Sequence, residues 1–127
     1  MRLSLLALPF ALLAHTANAT DNACMIEGSF SMMGQTIAIK DCLQGAPNQP
    51  PEALRGTCSG LAQAPLAMGG QAGTVTYMAQ CPQPAQGVCK NLAGSGQDAY
   101  YYQRSADDLN SLPASCSASG GQWQPAG

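Results

Sequence analysis

Six cysteines, at positions 24, 42, 58, 81, 89 and 116, carry the widest choice of chemistry in this chain. Thiols in that number can form three disulfides, hold a soft metal, or act as redox groups and nucleophiles, and their spacing separates these uses. Structural zinc draws on Cys-x2-Cys pairs, and redox thiols on Cys-x-x-Cys. Here even the closest two, Cys81 and Cys89, have seven residues between them. Cys24, Cys42, Cys58, Cys81, Cys89 and Cys116 are therefore read as bridged, and no metal site or cofactor is expected. The single histidine, His15, lies in an N-terminal segment, residues 1–19, that reads as cleavable. Once that segment is removed no imidazole remains to serve as a general base or a metal ligand, which excludes Ser-His-Asp and Cys-His nucleophile systems. Gly56-Thr57-Cys58-Ser59-Gly60 has the outline of a nucleophile elbow, but no strand leads into it and no base accompanies it.

Other groups point to weaker alternatives. Asp107-Asp108, with Asp98 nearby in sequence, is an acidic cluster. Glycosidase chemistry needs two carboxylates held apart across a cleft, and two adjacent residues at a helix start fit a cap better. Met25, Met32, Met33, Met68 and Met78 are soft thioethers suited to Cu(I), yet they follow no repeated ligand pattern and equally suit an irregular small core. Tyr100-Tyr101-Tyr102 reads as a strand with Tyr100 and Tyr102 on one face and Tyr101 on the other. Tyr100, Tyr102 and Trp123 form the candidate binding face, since such rings stack on sugars and anchor peptides. No residue is assigned a catalytic role.

The elements that would position these groups follow an N-terminal segment of a different kind. Met1-Arg2, an apolar run over residues 3–13 and the closing Ala17-Asn18-Ala19 have the order of a secretory signal with an Ala-x-Ala cleavage site. The run is interrupted by Pro9 and is about half the length that spans a bilayer. Residues 1–19 are thus read as a signal peptide and residues 20–127 as one mature cysteine-rich domain, periplasmic or secreted, without a membrane anchor. Export would deliver all six cysteines to an oxidising compartment. The mature chain has four basic and seven acidic residues, a net charge of −3, and its cations are scattered. A nucleic-acid partner is not expected, because neutralising many phosphates takes a basic patch.

Three Gly-Gln pairs each precede a strand-like run: residues 36–40, 74–78 and 99–103. Three hairpins are expected, with partner arms near 26–32, 66–68 and 88–92. Pro50-Pro51-Glu52 suits a first helical turn, with Leu54, Cys58 and Leu61 on one face. A second helix is expected from Ser105, capped through Asp108, with Leu109, Leu112 and Cys116 inward, a kink or restart at Pro113 and an end at Gly120-Gly121. The fold class is α+β, a small disulfide-stapled domain of antiparallel hairpins with two short helices on one face. Six cysteines admit fifteen pairings. The local elements favour the sequential pattern 24–42, 58–81 and 89–116, the first bridge closing the open end of the first hairpin.

The residues CPQPAQGVC over 81–89, the Tyr100-Tyr101-Tyr102 strand and Cys116-x3-Gly120-Gly121-x-Trp123 resemble small exported bacterial cysteine-rich proteins of uncharacterised function. The resemblance covers about residues 81–123 and implies compartment and disulfides, not a reaction. The functional expectation is an exported, non-enzymatic interaction or binding protein whose partner is a protein or small ligand. Alternatives are a soft-metal, copper-binding protein using methionine, a small carboxylate-dependent hydrolase, and an inhibitor of an exported enzyme.

Overall fold

The computed structural model describes residues 21–126; the expected signal segment and its cleavage point lie outside the described residues. β1 (Ala23–Met32) and β2 (Gln35–Gln44) form a ten-pair antiparallel hairpin from Ala23↔Gln44 to Met32↔Gln35. Its two-residue turn, Met33-Gly34, has positive φ at both positions, which matches the twist of a two-residue hairpin. Strand β3 (Thr74–Met78) pairs with β1, and β5 (Asp98–Tyr101) pairs with β2. Beyond β5 lie β4 (Gly87–Lys90) and then β6 (Gln122–Pro125), giving the antiparallel order β3-β1-β2-β5-β4-β6.

Two of the three expected hairpins form. The second does not: its supposed first arm, around 66–68, belongs to a 3-10 helix, Ala64–Met68, that opens with Pro65 and closes on Gly69 at φ 79°. With no strand beside it, β3 pairs with the long edge of β1 instead. The strand β6 was not anticipated. It is four residues long, mostly polar, and ends in a proline.

Helix α1 (Pro51–Gln63) begins on its prolines with Glu52 in the first turn. It buries Leu54, Cys58 and Ala62, so the inward stripe falls at i, i+4, i+8, and Leu61, expected inside, stands 47% exposed. Helix α2 (Ala106–Ala118) has the expected cap, the Ser105 hydroxyl accepting the Asp108 N–H at 3.2 Å. It runs through Pro113 as one helix, contrary to the expected kink or restart. Leu109, whose carbonyl loses its partner there, is only half-buried, so water can reach the surface around it. Gly120, at φ 91°, ends the helix as the Gly121 N–H donates to the Cys116 carbonyl at 2.9 Å.

Both helices lie against one sheet face, where Cys24, Ile26, Leu43, Ala99 and Tyr101 meet Leu54, Cys58, Ala62 and Cys116. The opposite face carries a smaller cluster of Ala23, Met25, Cys42 and Cys81, flanked by Met78, Tyr100 and Tyr102. Three disulfides tie the layers together: Cys24–Cys58, Cys42–Cys81 and Cys89–Cys116, with Cα separations of 6.4, 5.8 and 5.8 Å. The third matches the expected pairing. The first two correct the expected 24–42 and 58–81, although the hairpin from which 24–42 was inferred is present. In the observed register Cys24 lies opposite Leu43, and Cys42 lies opposite Met25. Cross-strand partners share a face and neighbours in sequence alternate, so Cys24 and Cys42 point to opposite faces of the sheet. Cys24 therefore meets the helix above it, and Cys42 meets the connector below.

Candidate functional site

Every cysteine is bridged, leaving no free thiol among the described residues. Gly56-Thr57-Cys58-Ser59-Gly60 lies within α1 with Cys58 fully buried in its bridge, so the elbow-like spacing has neither the turn nor the exposed nucleophile. The acidic residues are occupied structurally. Asp98 pairs with Lys90 at 2.8 Å and accepts the Asn91 N–H at 3.0 Å, while Asp107 and Asp108 fill the first turn of α2. Among the described residues no cluster of three or more His, Cys, Asp or Glu could hold a metal. Met25 and Met78 belong to the smaller cluster, Met68 lies on the helix face, and Met33 caps the hairpin tip at 98% exposure.

The three aromatic residues of the candidate binding face do not share a face. Tyr100 pairs with Cys42 and Val88, placing it with Tyr102 on the side away from the helices. Trp123 pairs with Cys89, which puts it on the helix side. There its ring stacks on Tyr101, with centroids 5.9 Å apart. Gly87 makes this possible, because a Cβ at that position would collide with the Trp123 ring. Tyr100 borders a polar hollow with Gln44, Cys81, Pro82, Lys90 and Asp98. Much of that polarity is already engaged: Gln44 accepts the Cys81 N–H at 2.9 Å, Lys90 holds Asp98, and the Tyr102 hydroxyl donates to the Pro82 carbonyl. Burial, and secondarily Tyr100, push the Tyr102 hydroxyl up to about 12.

A different site lies on the helix face. α1 covers the end of β1 near Cys24, while α2 sits over β4 and β6, so the sheet beyond Ile26 is left without a helix. A groove of about 330 Å³ remains there, floored by Ile26, Phe30, Ile39 and Leu43 and walled on one side by Leu61, Pro65 and Met68. Leu61 and Met68 are 47 and 60% exposed, forming an apolar rim. The far wall is Tyr101 and Arg104, the guanidinium lying 5.1 Å from the Tyr101 ring centre. Arg104 grips Asp41 through two hydrogen bonds and lies 3.9 Å from Asp108. Burial raises the Asp41 carboxyl above its ordinary value, although the bond and the charge of Arg104 pull the other way.

No family model, curated protein or solved structure matches this chain. The groove must be read from its own residues. Its floor was visible in part as the strand-like run 36–40 and its partner arm 26–32, which supply Ile39, Ile26 and Phe30. Its wall was not, because Leu61 satisfies an inward stripe by spacing and only the rotation of α1 in the packed state turns it out. Among the described residues no helix is long and apolar enough to cross a membrane.

Proposed function

We propose that this chain is an exported, non-enzymatic binding protein that takes an apolar group of its partner into the groove between α1 and the β1–β2 hairpin. The observation that carries the reading is the exposed Leu61 and Met68 standing beside Phe30 and Ile39 around an open apolar concavity. Sites for small ligands have this character, an apolar lining with a few placed polar groups, here Asp41 and Arg104. Three disulfides suit an oxidising compartment, and the signal-like N-terminus supports delivery to it. A copper protein would gather its thioethers and a carboxylate hydrolase would hold an acidic pair across a cleft, and neither reading gains support from the arrangement described above.

The neutral dye N-phenylnaphthylamine tests the groove. Its emission should rise on binding the protein and fall by about tenfold in affinity for Leu61→Asp, a change at an exposed position that leaves the core intact. Equal binding by both proteins would overturn the assignment. Export is tested separately: N-terminal sequencing of protein recovered outside the cytoplasm should begin at Thr20.

A further inference from the structure

We infer that the groove recognises an extended peptide, which adds as an antiparallel strand to the free edge of β2. This deepens the binding reading above and rests on it. β5 pairs with β2 only over Asp41–Gln44, while β2 itself begins at Gln35. The last backbone bond on that side is Tyr102 N–H to the Lys40 carbonyl, at 3.1 Å. There the chain is drawn away by Gln86, whose side chain accepts the Arg104 N–H at 2.7 Å and donates to the Arg104 carbonyl at 3.2 Å. Lys40 shows which way the backbone faces. Since strand residues alternate with a period of two, Ala38 and Thr36 also turn their N–H and C=O groups to that edge, with no strand beside them. Both residues are exposed. An open edge of this kind is a template for another chain.

The edge and the groove are contiguous, and their combination selects the ligand. Ile37 and Ile39 alternate with Thr36 and Ala38, so a strand laid along the edge would direct every second side chain to the groove side, beside Ile39, Phe30 and Tyr101. An acyl chain could fill the apolar floor but would leave the edge unpaired; a peptide satisfies both. The fitting segment therefore alternates apolar residues, which take the groove side, with polar ones, which lie on the opposite face where Lys40 already pairs with Glu27. A second copy fits poorly. Two-fold pairing centred on Ala38 would need the Lys40 carbonyl that Tyr102 already occupies, and so short an edge falls far below the roughly 800 Å² per partner of a stable interface.

The test uses an acetylated, amidated octapeptide of alternating Val and Lys, and the same peptide N-methylated at alternate residues. Hydrogen exchange read by NMR should show the Ala38 amide slowed about tenfold or more at saturation, and methylation that removes the facing N–H groups should abolish binding. Ala38→Pro removes the edge N–H where proline is tolerated on an edge strand, and should weaken the peptide about tenfold while leaving N-phenylnaphthylamine binding unchanged. Equal binding of the methylated and unmethylated peptides, with dye binding still lost in Leu61→Asp, would overturn strand addition and leave the groove standing. Loss of no dye binding in Leu61→Asp would remove the groove itself. An Ala38 amide already protected without peptide, and exposed on dilution, would replace the peptide by a second copy.

Discussion

The two faces of the sheet are held by different means. On the helix face, two bridges fasten α1 and α2 to strands, and each is set in a continuous apolar cluster that includes Leu54, Ile26 and Tyr101. On the other face a single bridge, Cys42–Cys81, fastens an irregular connector over a four-residue cluster, assisted by the Tyr102 hydroxyl on Pro82. Bridge and core reinforce each other on the first face. On the second, the bridge replaces a core that the residues there are too few to build.

Deleting bridges tests that difference most directly. The loops closed by Cys24–Cys58 and Cys42–Cys81 span separations of 34 and 39 residues, so chain entropy alone assigns each about 4 kcal/mol. The double substitution Cys24→Ala, Cys58→Ala should cost more than Cys42→Ala, Cys81→Ala, because it also loosens the packing of α1. Urea unfolding of both variants checks this, and equal midpoints would erase the distinction between the faces.

Among the described residues Leu54 is the largest fully buried side chain, and Leu54→Ala should cost about 3 kcal/mol by the same measurement. Gly87→Ala sharpens the comparison at the edge of the helix face. The added methyl would push the Trp123 ring from Tyr101, with an expected loss of about 2 kcal/mol. Trp123 is the sole tryptophan, so its emission should shift to the red in that variant.

The smallest effect belongs to the connector face. Tyr102→Phe deletes one hydrogen bond, worth about 1 kcal/mol. It also changes the response to alkali. The Tyr102 hydroxyl is raised from 10.0 to about 12, chiefly by burial, so between those values the unfolded chain has lost a proton that the folded chain keeps. Stability is therefore full below pH 10 and declines as pH rises toward 12, and Tyr102→Phe should flatten that decline in a series of unfolding curves.

Where a feature depended on neighbouring residues, it could be read from the sequence. The turn near Gly34, the prolines opening α1 and the Ser105 cap each act within a few positions. Apart from the expected break at Pro113, which α2 runs through, what failed depended on packing and pairing over distance. Whether Cys24 can reach Cys42 turns on a one-residue register that decides which face each thiol takes, and composition is blind to it. Thr74–Met78 was recognisable as a strand, but its partner is some fifty residues away in β1. The groove was legible only as the strand-like runs 36–40 and 26–32 that supply its floor, since its wall arises from how α1 rotates onto the sheet. Tyr100, Tyr102 and Trp123 were each recognisable as large aromatic rings, yet strand parity separates them across the sheet.

The bridges also divide the covalent topology of the molecule. Cys24–Cys58 and Cys42–Cys81 interlock along the chain, so a protease that cuts once anywhere between residues 24 and 81 releases no fragment. Cys89–Cys116 closes its own loop and is not threaded through the other two. A single cut between Cys81 and Cys89 would split the protein into two separately cross-linked pieces, joined only by strand pairing of β2 with β5 and the contacts around it. The connector that most lacks regular structure is thus the one backbone segment between the first and last cysteines on whose integrity the unity of the molecule depends.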